Sequence, residues 1–432
     1  MTVPRCRAER VDFLGWEAVR LSNGLAEAVV IPDAGGRIIA YSLGSHQYLW
    51  MDERLAGRLI PPGEQAKSAS MSTWLNYGGS KTWPAPQGWD NEDQWHGPPD
   101  PVLDGGRYAL EAVEASDEQA VVRVQSPRDL RTGIQISRQL TLHRGSSHAT
   151  LHLEMQNISA RARTWSIWDV VQLEATLRSA GGETHNEQAW LYVPMNPDSR
   201  FPRGYNVMYG EHDNPEWQPG VRPGVLGAQY LFRVGKIGLD SNAGWLAYVD
   251  GRSDYAFCQR FAYLPGASYP DGGASVECWT TGLGRSAGDL DYSSDPMYYL
   301  EAEVLGPLRT MAPGVKQSLD IEWYAGRCPG PIVNVTSAGC CHEPLQATSV
   351  GGGTVRLTGI FGVFFPGTVQ VVWVDPGGHA LGAEAIAQAD PRSVLRVDVA
   401  RRAPADVARA ELALLDEHGQ SVGTLDTAVV TN

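Results

Sequence analysis

"GIQISRQLTLHR" (133–144) sets Ile134, Ile136, Leu140 and Leu142 on one face of an extended chain. The next stretch, "ATLHLEMQNIS" (149–159), does the same with Leu151, Leu153 and Met155. An apolar side chain at every second position marks a strand with one buried face. Two such runs in succession predict long antiparallel strands.

The same period recurs outward in both directions. "WEAVRLSNGLAEAVVIP" (16–32) reads as two strands joined at Asn23-Gly24, the dipeptide suited to a tight hairpin turn. Further strands are predicted at "WSIWDVVQL" (165–173), "GWLAYVD" (244–250), "SVECWTT" (275–281), "YYLEAEVLG" (298–306) and "SLDIEWYAG" (318–326). Helical periodicity is hard to find, so the first 327 residues read as one large all-β domain. Residues 52–104 and 194–226 are rich in Gly, Pro, Trp and Asn and read as long irregular loops. Loops of that length are usually functional or disordered, and the aromatic content argues for function.

"RCPGPIV" (327–333) marks a break, after which Ala and Val rise and tryptophans nearly stop. Runs at 354–365, 368–376, 394–400 and 408–430 suggest a small β-sandwich of immunoglobulin-like size over 328–432. "RAPADVARAEL" (402–412) fits a short helix as well as a strand.

The 35 Lys+Arg against 49 Asp+Glu leave a net charge of −14, which argues against nucleic acid or an anionic membrane as the main partner. "MTVPRCRAERVDF" lacks the apolar centre of a secretory signal, and no run of about 18 apolar residues occurs. The expectation is a cytoplasmic protein, or a secreted one if a leader precedes this chain. The six cysteines form no C-x-x-C pair and are expected to be buried free thiols. His148 and His152, four apart on a predicted strand, would lie about 13 Å apart, too far to share a metal. No metal or cofactor is expected. Oligomeric state is not legible.

Sugar rings have apolar C–H faces and hydroxyl rims, so their sites pair flat aromatic surfaces with carboxylates, amides and cations. Residues 74–96 have that chemistry: Trp74, Trp83, Trp89 and Trp95 alternate with Asn76, Tyr77, Lys81, Gln87, Asp90, Asn91 and His96. The tryptophans could equally be plugs sealing a sandwich. Lys81 is one of only four lysines and follows paired glycines that would let backbone approach a ligand. In 298–306 the pleat puts Tyr299, Glu301 and Glu303 on one face, with successive carboxylates about 6.6 Å apart, a spacing suited to acid and base roles. Glu277 shares a face with Trp279. Trp168 and Gln172 share one face of their strand and Asp169 takes the other. Asp271 reads as a turn former.

With these residues in view, the chain resembles the galactose-mutarotase-like (aldose 1-epimerase-like) superfamily, in a bacterial, carbohydrate-associated branch. The resemblance rests on "IPDAGGRIIAYSLG" (31–44) with "YLW" (48–50), "NYGGSKTWPAPQGW" (76–89), "NISARARTWSIWDVVQL" (157–173), "YPDGGASVECWTT" (269–281) and "YYLEAEVLGPLRTMAPGVKQSLDIEW" (298–323). It implies a supersandwich, two large antiparallel sheets with a sugar on a concave face. In mutarotases a late glutamate takes the anomeric hydroxyl proton while histidines donate to the ring oxygen. Glu301 or Glu303 matches that glutamate, but Tyr77 and Trp168 stand where histidines are expected. The implied catalytic set is Glu301, Glu303, Tyr77 and Lys81. The substrate-binding set is Asn76, Trp83, Gln87, Trp89, Trp168, Gln172, Glu277 and Trp279. Three readings remain open: an epimerase or mutarotase acting on a mono- or oligosaccharide, a polysaccharide lyase eliminating across a uronate with Tyr77 as base and Lys81 neutralising the carboxylate, and a non-catalytic sugar-binding module.

Overall fold

The computed structural model describes residues 5–60, 74–283, 291–293 and 295–431. The Ile134–His143 and Ala149–Asn157 strands pair antiparallel with Leu151 opposite Leu140, and Ala149–Asn157 pairs in turn with Lys316–Arg327. They belong to a ten-stranded antiparallel sheet. A twelve-stranded sheet lies against it, and its path runs through Arg37–Leu43, Ser80–Ala85, Arg163–Glu174, Tyr299–Leu305, Val276–Thr280 and Gly235–Leu239. Ile136, Leu140, Leu151 and Leu153 from one sheet and Ile167, Val171, Ala302 and Val304 from the other join one buried core. This is the all-β domain expected from the alternating runs, built as the two large antiparallel sheets that the resemblance implies. Among the described residues the helical content is one short turn, Glu53–Leu55.

Local chemistry explains how the sheets are fixed together. Trp16–Ser22 and Ala26–Ile31 form the expected hairpin. The Asn23 side chain accepts from the backbone N–H of Leu25 and Ala26 and donates to Ser146 O at 2.8 Å, tying the turn to the other sheet. Arg138, wholly buried between the sheets, donates to Gly36 O, Ser80 O and Ser80 Oγ and lies 3.7 Å from Asp169. Asp169 therefore faces the second sheet, and burial pushes its carboxyl up to about 6 against the pull of Arg138.

The stretch 52–104 is not one irregular loop, because Ser80–Ala85 is a strand at the middle of the twelve-stranded sheet. All six of its residues are buried, so the polar–apolar alternation that betrays a half-buried strand is missing. Pro84 also reads as a strand breaker. Strands Asn206–Gly210 and Trp217–Arg222 likewise occupy part of 194–226. In "RAPADVARAEL" the strand outcome holds, with Arg409–Leu415 paired on both sides.

The paired glycines deliver the chain into that central strand. Gly78 has φ +95° and Gly79 φ +70°. A Cβ on Gly78 would lie 2.3 Å from Trp50 O, and one on Gly79 2.3 Å from Ile38 O. Only glycine meets both demands.

Residues 334–431 build a separate eight-stranded assembly around Leu357, Phe361, Val371, Trp373, Leu412 and Leu414. It rests on the ten-stranded sheet, where Ala247, Cys258 and Tyr324 meet Cys328, Ile332, Cys340 and Phe364. All six cysteines are buried and free. No helix among the described residues is long and apolar enough to cross a membrane.

Candidate functional site

Five neighbouring strands of the twelve-stranded sheet carry the polar residues. Register places Val170 between Lys81 and Glu303, Trp168 opposite Trp83, and Gln172 opposite Glu301. Glu277 then lies opposite Glu303, Trp279 opposite Glu301, and Lys236 opposite Trp279. Because side chains alternate across a pleat, Lys81, Trp83, Trp168, Gln172, Glu301, Glu303, Glu277, Trp279 and Lys236 all emerge on the face opposite to Asp169 and the inter-sheet core.

At the first end of this face, Lys81 Nζ stands 2.8 Å from Glu301 Oε1, which also accepts from Gln172 Nε2 at 2.9 Å. The ammonium lies over the Trp83 ring at 4.8 Å and the Trp74 ring at 5.7 Å, close enough for cation–π attraction. Asp104 orients both indoles, accepting from Trp74 Nε1 at 2.6 Å and Trp83 Nε1 at 3.2 Å while Arg37 pairs with it at 2.6 Å. Lys81 is 1% exposed, so it is an interior strand residue and not a cation on a loop rim. Burial pushes its ammonium pKa down, and Glu301 opposes that shift.

At the other end, Lys236 Nζ lies 2.7 Å from Glu277 Oε2 and 3.0 Å from Glu303 Oε2, and 4.3 Å from the Trp168 ring centroid. Trp168 Nε1 donates to Glu303 Oε2 at 2.8 Å. Burial raises the Glu277 carboxyl well above its ordinary value and raises Glu303 also, while Lys236 pulls both down. For Lys236, burial alone would lower the ammonium, and the two carboxylates more than reverse this. Two of the chain's four lysines thus meet three glutamates on one sheet face.

The remaining expected site residues divide. Asn76 is buried beside the cluster and donates to Tyr299 Oη at 3.0 Å. Trp95 covers the face, with its ring 4.9 Å from Trp83 and 6.5 Å from Trp168. Trp279 is half-buried against Tyr209. Gln87 is exposed, and Trp89 is 68% exposed, facing His96 in parallel at 6.4 Å. Tyr77 is fully buried in a separate cluster, edge-on to Trp16 at 6.1 Å and beneath Arg37. Burial pushes its phenol up to about 12. The strand that carries Lys81 brings it to the glutamates, and the residue before the paired glycines is left facing elsewhere.

Sequence reasoning missed Lys236 and Asp104 as site residues. Lys236 sits in "GKIGL" (235–239), where flanking glycines dilute the strand signal and one polar residue looks like a solvent-facing position. Asp104 lies in a turn, and nothing in its neighbourhood announces the two indoles it holds.

A family profile described as a domain of unknown function, DUF4380, matches residues 16–180. No curated protein matches the chain in sequence. Solved structures similar in fold include a protein from Synechocystis sp. PCC 6803, at 11% identity and TM-score 0.47 over 74% of this chain and 99% of that one. A galactose mutarotase-like protein from Clostridium acetobutylicum aligns at 10% identity and TM-score 0.46, over 75% of this chain and 99% of that one. Another from Lactobacillus casei aligns at 11% identity and TM-score 0.43, over 71% and 99%.

Proposed function

We propose that the Lys81–Glu301 face binds a sugar ring and performs acid–base chemistry on it, of the kind that opens and recloses an aldose at its anomeric carbon. The observation that carries this reading is the 2.8 Å contact of Lys81 Nζ with Glu301 Oε1 beneath two oriented indoles. An aromatic wall takes the apolar face of a pyranose, and the charged pair takes its hydroxyl edge.

In this reading Glu301 accepts the proton of the anomeric hydroxyl. As the bond between the anomeric carbon and the ring oxygen breaks, Lys81 Nζ delivers a proton to that ring oxygen. Rotation about the bond between the anomeric carbon and its carbon neighbour, then reversal of both transfers, returns the other anomer with Lys81 and Glu301 restored. Burial assists by weakening the hold of the Lys81 ammonium on its proton. Gln172, donating to Glu301 Oε1, positions the base. No cofactor enters these steps.

The uronate-elimination reading has less support, since its base, Tyr77, faces Trp16 and Arg37 and burial raises its phenol. The test is a panel of aldoses incubated with the protein, with anomer exchange followed by NMR magnetisation transfer. Accelerated exchange of at least one neutral or aminated aldose is expected. Unsaturated-uronate absorbance from an acidic glycan would favour elimination instead. Silence in both assays, with sugar-dependent quenching of tryptophan fluorescence, would leave a binding module.

A further inference from the structure

Around Lys236 the carboxyl groups outnumber the cations. Glu277 and Glu303 both lie within 3.0 Å of its Nζ, and the Asp271 carboxyl is near enough to repel the Glu277 charge. Lys81 does not offset the excess, being matched by Glu301. Among the described residues, Glu277 Oε1 and Glu303 Oε1 are buried without a hydrogen-bond donor, and Glu277 Oε2 has only the Lys236 ammonium at 2.7 Å. Buried acceptors without donors are costly, and natural sites rarely leave two carboxylate oxygens so placed side by side. Lys236, Asp271 and Trp279 are only half-buried, so this end of the face is its more open end.

We propose that Glu277, Glu303 and Asp271 form a subsite for an ammonium group on the sugar, making amino sugars the preferred ligand class over their neutral parents and over uronates. The proposal rests on the reading that this face binds a sugar. An ammonium supplies three donors and the positive charge that the cluster lacks, whereas a uronate adds a further negative charge. Burial pushes Glu277, Glu303 and Asp271 upward, and a cation beside them opposes that shift. The charged groups facing Glu277 are Lys236 on one neighbouring strand, Glu303 on the other and Asp271 on the preceding turn, with Glu301 beyond Glu303. An entering ammonium therefore favours proton release from this cluster, which the experiment reads.

The experiment titrates the full chain with glucosamine and galactosamine, with glucose and galactose, and with glucuronate and galacturonate. Tryptophan fluorescence gives affinities, and calorimetry in two buffers of different ionisation enthalpy gives proton release. At least one amino sugar is expected to bind about tenfold tighter than its parent, and the parent tighter than the uronate. Protons should be released on binding the amino sugar and not its parent. Glu277→Gln should shrink the amino-to-parent ratio toward one. Asp271→Asn provides a second readout should the first variant misfold, because residue 271 has φ +54°, a conformation that asparagine adopts readily. Equal affinity for amino sugar and parent, or tightest binding by a uronate, would overturn the proposal while leaving sugar binding intact. Binding of none of the six would overturn both.

Discussion

Replacing Lys81 by methionine removes a buried cation and keeps most of the side-chain volume. Glu301 would retain one hydrogen bond, from Gln172, in a setting where it is 8% exposed and Lys81 is 1% exposed. A solvent-exposed ion pair would give up about 1 kcal/mol or less. Breaking a buried pair leaves an uncompensated charge, and about 3–5 kcal/mol is the expected loss for Lys81→Met. Glu301→Gln should fall at the lower end, since its amide oxygen still accepts from Lys81. The double variant lacks both charges, so its loss should be smaller than the sum of the singles by about 2 kcal/mol or more. Urea unfolding followed by tryptophan fluorescence measures all four corners of the cycle. Raising salt to about 0.5 M should change the coupling little, because screening acts weakly on a buried pair. Single losses under about 1 kcal/mol that simply add would refute the reasoning, since the pair would then behave as an exposed one.

Gly79→Ala should destabilise by about 2–4 kcal/mol, because it meets both a positive φ and a carbonyl oxygen 2.3 Å away, and thermal unfolding will show it. Asp104→Asn should weaken sugar binding by about tenfold or more by loosening Trp74 and Trp83, as fluorescence titration will show. The contribution of Glu216 to stability should fall as pH rises from about 5 to about 8. Burial raises Glu216 from 4.5 to about 7, so the folded state binds its proton more tightly than the unfolded state and loses that advantage as the pH passes through the folded value. The shift is worth on the order of 3 kcal/mol, and Glu216→Gln should remove that share of the pH dependence of the urea midpoint.

The half-buried strands were legible because alternation exposes them. Ile134 to Leu142 and Leu151 to Met155 point inward as their spacing requires. The Glu301 and Glu303 face followed from the same rule, as did the separation of Asp169 from Gln172. What stayed hidden was the strand buried on both sides. Ser80–Ala85 contains serine, lysine, threonine and proline, and each is tolerated only because distant residues satisfy it: Arg138 for Ser80, Glu301 for Lys81 and Asp169 for Thr82. Those partners lie between 58 and 220 positions away in the chain, beyond the reach of local periodicity. Tyr77 was misplaced for a related reason. The glycine pair turns the chain between residues 77 and 80, so nearness in sequence to Lys81 does not place it on the same face.

The central claim is that Glu301 serves a bound sugar as a base. Anomer exchange of the best-binding aldose, measured by NMR with the native protein and with Glu301→Gln at matched saturation, tests it most directly. The account predicts that the variant retains sugar-dependent fluorescence quenching and loses at least about a hundredfold in exchange rate. Exchange unchanged in the variant, or absent with the native protein for every aldose that binds, would contradict it.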